Sequence, residues 1–110
     1  MRAKYFTPTE VYGLNPRLVR MLDEAREIAK TPFVITSGYR PGDDKAHGKR
    51  KAVDLRCPLR ASVKRQKMYD ALRAVGFNRI GIYDKHLHAD IATKAEGFPQ
   101  NVTWWGKSAH

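Results

Sequence analysis

His86-Leu87-His88-Ala89-Asp90-Ile91 is the stretch on which the reading of this chain turns. Polar and apolar side chains alternate along it, the pattern of a half-buried β-strand. Residues two apart on a strand share a face. His86, His88 and Asp90 therefore point one way, and Leu87, Ala89 and Ile91 the other. Two imidazoles and a carboxylate sit side by side on one rigid element. A second cluster lies upstream, in His47-Gly48-Lys49-Arg50-Lys51-Ala52-Val53-Asp54. Three of the four histidines fall in these two stretches, which points to a metal site.

Just before this strand, Arg79–Tyr83 alternates in the same way, with only Asp84-Lys85 in between. The spacing predicts a hairpin in which Tyr83 pairs with His86 and Gly81 faces His88, although Asp-Lys is not a favoured turn pair. A glycine opposite His88 leaves room beside a metal. Further upstream, Ala52–Arg56 reads as a strand with Val53 and Leu55 in the core and Asp54 facing away. Phe33–Ser37 is β-branched and apolar and reads as another strand, broken by Gly38-Tyr39-Arg40-Pro41-Gly42. A basic loop, 43–51, joins the two.

Two helices complete the pattern. Asn15-Pro16 supplies an N-cap and a proline at the first helical position. Leu18, Met21, Leu22, Ala25, Ile28 and Ala29 follow at helical spacing, and Thr31-Pro32 ends the run. The second helix spans about Ala61 to Val75, with Met68, Tyr69, Leu72 and Val75 on its apolar face and Gly76 as its C-terminal cap. The aromatic tail Gly97–Trp105 is expected to pack over the sheet. The order α-β-β-α-β-β predicts an α+β fold: a small, mostly antiparallel sheet, helices on one face, and a cleft lined by the polar strand residues on the other.

At 110 residues the chain is read as a single domain, 1–110, and its 42% apolar content is enough for one core. No apolar run approaches the ~18–20 residues a membrane span needs. Met1–Pro8 lacks the apolar core of a signal peptide. The expectation is a monomer made in the cytoplasm, with no membrane partner. Cys57 is the single cysteine, so no intramolecular disulfide forms and a thiolate-rich zinc knot is excluded; it reads as a packed thiol. The net charge of +10 attracts polyanions, among them nucleic acid and the anionic bacterial cell wall. No nucleic-acid motif accompanies the charge, which alone is a weak signal.

Catalytic zinc is held by three protein ligands drawn from His, Asp and Glu, with one position left for water. His47 on the loop, Asp54 on the strand seven residues later and His88 on the hairpin can supply such a set. Taken singly, each has a plainer reading: His47 as a surface residue, Asp54 as a partner of Arg56, His86 and His88 as exposed residues of an edge hairpin. Terminal His110 plays no part.

Several motifs in order carry a family resemblance. They are Ile35-Thr36-Ser37-Gly38-Tyr39-Arg40, then His47 with Ala52 and Asp54 at fixed offsets, then Gly76-Phe77 through Arg79-Ile80-Gly81-Ile82-Tyr83, then His88-Ala89-Asp90. Together with Pro99–Val102 and Trp104-Trp105-Gly106, they make the chain similar to the zinc D-Ala-D-Ala carboxypeptidase and L-alanyl-D-glutamate endopeptidase family. These are peptidoglycan-cleaving metallopeptidases of bacteria and phages, and the likeness is to short phage or prophage members. The resemblance implies a Hedgehog/DD-peptidase-like fold, Zn2+ held by His47, Asp54 and His88, and substrate binding by Arg40 and Ser37. It also implies hydrolysis of an amide in the peptidoglycan peptide stem, after release of the protein to the wall. Arg40 suits this role as a permanent cation with a rigid donor fork. The metal would polarise the scissile carbonyl and bring the pKa of its water towards ~7.

The chain departs from the family pattern in places. The family serine is Lys45 and the family glycine is Arg50, changes that add charge at the mouth of the site. Where better-known members carry Glu or Asp three residues before the last histidine, this chain has Lys85. Asp84 and His86 are the two candidates for the general base; Asp90 is assigned a supporting role. Two other readings compete with the peptidase: a zinc-containing wall-binding module without turnover, and a basic nucleic-acid-binding protein.

Overall fold

The computed structural model describes residues 3–56 and 62–107. Cys57 and Ala61, at the expected helix start, lie outside the described residues, as does His110. The helix α1 spans Pro16–Ala29. Asn15 caps it, its side chain accepting from the Arg17 amide at 2.8 Å, and Lys30 closes it in a left-handed conformation just before Thr31-Pro32. The strands β1, Val34–Ser37, and β2, Ala52–Arg56, follow; then comes α2, Ser62–Ala74. Gly76, at φ 109°, ends α2 and lets the Phe77 amide return to the Leu72 carbonyl at 3.0 Å. The strands β3, Arg79–Tyr83, and β4, Leu87–Asp90, form the hairpin, and β5, Val102–Gly106, comes last.

The sheet has the order β1-β2-β4-β3-β5. Its first three pairings are antiparallel, and β3 with β5 is parallel. The fold is α+β with a mixed five-stranded sheet and two helices. On one face, Val53, Leu55, Ile80, Leu87 and Ala89 pack with Leu18, Leu22 and Ala25 of α1 and Met68 and Leu72 of α2. Each of the fully buried Val, Leu, Ile and Met side chains among them stabilises the fold by about 1.5–3 kcal/mol, and each alanine by less. The expected apolar stripe of α1 needs one correction: Ile28 is 54% exposed, and Val19 takes a core place instead. Among the described residues, no helix is long and apolar enough to cross a membrane.

The tail meets the expectation at Phe98, which packs against Ala52 of the sheet, and differs from it beyond that. Rather than lying over the sheet, Val102–Gly106 extends it, pairing with Arg79–Tyr83 as a parallel edge strand. Val, Thr and Trp favour extended backbone, and the turn through Asn101, at φ 57°, brings the chain alongside β3. Only the side chains on one side of β5 reach the opposite face of the sheet.

That opposite face carries a smaller cluster. Ala52 packs with Ala46 and Ala92, and Phe98 covers them. Through Ala46 this cluster seats the 38–51 loop over the face that carries the polar strand residues.

Candidate metal centre

Strand register builds most of the site. Asp54 of β2 and His88 of β4 are direct cross-strand partners, and Gly81 lies across from His88 on the other side. A bulge between Ile35 and Ser37 shifts β1 by one residue, so that Ser37 rather than Thr36 faces Asp54. The hairpin is as short as the spacing predicts, the Tyr83 amide donating to the His86 carbonyl at 2.9 Å. Neither Asp84 nor Lys85 takes positive φ, so the turn is not one of the primed types. Instead, the Arg65 guanidinium of α2 donates to the carbonyls of Tyr83 and Asp84 and ties the turn down.

His47 reaches the same place from the loop. Its carbonyl accepts from the Arg40 and Arg50 amides, both at 3.3 Å. Gly48 lies so close to Asp43 that a Cβ would stand 1.6 Å from the Asp43 carbonyl oxygen. Arg50 adopts φ 66°, stacks its guanidinium 4.1 Å from the Tyr39 ring centroid, and its carbonyl accepts from the Asn15 amide at 2.8 Å. The loop is thereby fastened to the start of α1.

His47 Nε2 lies 3.4 Å from Asp54 Oδ1, and His88 Nδ1 lies 3.2 Å from the same oxygen. One ligand atom from each of the three residues falls within 4.8 Å of the other two. Ligand atoms about 2.0–2.1 Å from a tetrahedral ion are separated by roughly 3.3 Å, so the spacing fits a shared ion. The outer ring nitrogens are anchored as ligating imidazoles require. His47 Nδ1 is 2.8 Å from the Gly38 carbonyl, which can only accept; Nδ1 therefore carries the proton and Nε2 presents its lone pair. His88 Nε2 is 2.7 Å from Asp90 Oδ2, which leaves Nδ1 for the ion. The His47–Asp54–His88 cluster can hold a metal ion.

The electrostatics agree. Burial pushes the Asp54 carboxyl up, but in the absence of metal its interactions with the His47 and His88 imidazoles outweigh this and hold the group well below the usual carboxylate range. Burial likewise lowers His88, and its bonds to Asp54 and Asp90 overcome this and raise it. Without metal, the site favours a proton where the cation would bind. Asp90 is buried and kept ionised by His88 and by Arg79, whose Nε donates to Oδ1 at 2.7 Å. The Ala92 amide also donates to Oδ1, at 3.1 Å, and Arg79 Nη1 reaches the Pro99 carbonyl at 2.7 Å.

The remaining candidates divide. Arg40 and Ser37 are joined to the centre: Arg40 Nη2 donates to Asp54 Oδ2 and Nε to Ser37 Oγ, each at 2.9 Å. His86 points inward, its Nε2 3.8 Å from Asp54 Oδ1. All of these line a cleft of ≈ 720 Å3, whereas Asp84 borders a second hollow of ≈ 190 Å3 beside Arg65 and Met68. The structure thus brings His86 to the centre and leaves Asp84 outside the cleft. Sequence reasoning missed Arg79, Tyr83 and Trp104, which also line the cleft. The alternation that placed His88 and Asp90 on one face puts Arg79, Gly81 and Tyr83 on that face too, and the hairpin register pairs Arg79 with Asp90. Comparison of the chain with protein-family models, with curated proteins and with solved structures gives no match.

Proposed function

We propose that this protein is a zinc-dependent peptidase that hydrolyses an amide bond in the peptide stem of bacterial peptidoglycan, on a Hedgehog/DD-peptidase-like fold. The observation that carries the reading is the convergence of His47 Nε2 and His88 Nδ1 on Asp54 Oδ1 inside a cleft, with each outer ring nitrogen anchored. Two imidazoles and a carboxylate form a donor set suited to zinc. The left-handed backbone of Arg50, where the resemblance expects glycine, supports the same reading.

Zinc bound by these residues supplies a Lewis acid and an activated water. The chain's own residues do the rest. Arg40 holds Asp54 Oδ2 and so turns Oδ1 towards the two imidazoles. Its side chain is 43% exposed, and Nη1, with only the longer 4.0 Å contact to Asp43 Oδ2, is the nitrogen it presents to a substrate carboxylate. His86 Nε2 is the atom that takes up and returns a proton, because it lies on the Asp54 side of the cleft. Lys45, Arg56, Lys85 and Lys107 at the cleft suit an acidic peptide stem.

The test is release of free amines from purified cell wall by the zinc-loaded protein. The reading predicts release that is abolished in His88→Ala and reduced by roughly a hundredfold or more in His86→Ala. A second reading, a wall-binding module without turnover, draws on the position of Asp84 outside the cleft. Zinc and wall binding with no amine release would establish that reading and overturn the peptidase.

A further inference from the structure

We propose that Tyr83, anchored by Trp104, is a positioning residue that fixes the His86 imidazole on the Asp54 side of the cleft. This inference rests on the reading of His86 as the proton-transfer group of that site.

The two rings are stacked face to face, with centroids 4.5 Å apart and planes 8° from parallel. Their contact follows from the hairpin: Tyr83 ends β3, His86 precedes β4, and the Tyr83 amide donates to the His86 carbonyl. An imidazole beside a two-residue turn has free rotation about two side-chain bonds unless something packs against it. Here the Tyr83 ring is that surface.

Tyr83 is itself held on three sides. Trp104 Nε1 lies 3.1 Å from the Tyr83 hydroxyl. An indole N–H can only donate, so the hydroxyl oxygen accepts and the ring is pinned at its far end. Across the parallel pairing, Gly81 lies opposite Trp104 and Gly106 lies opposite Tyr83. Each large ring thus sits over a neighbouring strand's glycine. A Cβ on Gly81 would stand 2.6 Å from Trp104 Nε1 and 2.8 Å from Tyr83 Cε1, and one on Gly106 would stand 2.5 Å from Tyr83 Cε2. Neither position admits a larger residue without moving the rings. Trp104 is placed in turn by His88, at 5.4 Å between centroids, and by the Arg79 guanidinium, at 5.2 Å from its ring. The rings and guanidinium packed around His88 and the support of His86 are therefore one continuous layer, Arg79–Trp104–Tyr83–His86.

The experiment is proton NMR of the histidine ring resonances in the wild type, Tyr83→Phe and Tyr83→Leu, each with and without zinc. Stacking places the His86 ring protons upfield of ordinary histidine positions in the wild type and in Tyr83→Phe, and Tyr83→Leu returns them. Zinc content stays unchanged in all three. A cross-relaxation signal between the His86 and Tyr83 rings in the wild type keeps the test decisive if Tyr83→Leu does not fold. Absence of that signal, or His86 resonances that Tyr83→Leu leaves in place, overturns the proposal. On cell-wall substrate, Tyr83→Leu lowers kcat by about tenfold to a hundredfold with KM unchanged. It causes no further loss in a His86→Ala background; an additive loss there contradicts the positioning role. A wild type without turnover refutes the peptidase reading, while the ring resonances still decide whether Tyr83 positions His86.

Discussion

The β3–β4 hairpin and the 38–51 loop each deliver a histidine to the same carboxylate, and they do it by different means. On the hairpin, His88 is fixed by register: its partners Asp54 and Gly81 are set by the sheet's pairing, and Asp90 two residues on locks its ring. In the loop, His47 is fixed by close backbone packing: Gly48 against Asp43, the left-handed Arg50, and Ala46 in the small apolar cluster. Damage to the hairpin should therefore reach the whole fold, and damage to the loop should remain local to the metal centre.

Asp90→Ala is the strongest test of that difference. It leaves the Arg79 guanidinium buried without its carboxylate and frees the His88 ring. Loss of one partner of a buried ion pair costs about 3–5 kcal/mol. Urea denaturation should show a loss of this size together with weakened zinc binding. Next in size is Gly48→Ala, whose added methyl collides with the Asp43 carbonyl. Stability should fall by about 1–3 kcal/mol, and zinc affinity by a larger factor than that loss predicts, as measured by calorimetric titration. If Gly48→Ala unfolds the sheet as thoroughly as Asp90→Ala does, the loop is not an independent unit.

The smallest expected effect lies where the loop's end meets the segment that follows the hairpin. Lys51, at the loop's end, pairs with Glu96 at 2.9 Å, and Glu96 forms a capping box with Thr93. The Lys51 hydrogen bond and then the Thr93 amide bring the Glu96 pKa down to about 2 from 4.5. A depressed carboxylate pKa contributes stability above pH 4.5 that is lost as pH falls through about 2. Glu96→Gln should therefore cost below about 1 kcal/mol at neutral pH, and the gap from the wild type should close across that window. A gap that persists to pH 2 assigns the effect to packing rather than charge.

The same contrast explains what the sequence disclosed. Alternation in Arg79–Tyr83 and His86–Ile91 was enough to predict the hairpin, its register and the shared face of His88 and Asp90. Asn15 and Gly76 marked helix ends because capping is a local interaction. The parallel addition of β5 was not legible, since pairing between strands distant in sequence, Arg79 with Val102 onward, leaves no periodic trace. Arg40 illustrates a second limit. Its residue type suggests substrate binding, but the bond to Asp54 Oδ2 depends on the bulge in β1 and the path of the loop. By position alone both Asp84, at the hairpin tip, and His86, on the face of His88, are candidates for the general base. Their separation comes from the turn that Arg65 ties to α2, a contact between elements far apart in sequence.

Whether His47, Asp54 and His88 together hold one metal ion is decided by the zinc content of the purified protein. At neutral pH the account predicts about one zinc per chain, lost in His47→Ala and His88→Ala, retained in His86→Ala, and displaced by protons as pH falls, because ligating imidazoles must be neutral. A wild type that takes up no zinc at neutral pH, or His47→Ala and His88→Ala variants that retain it, would contradict the account.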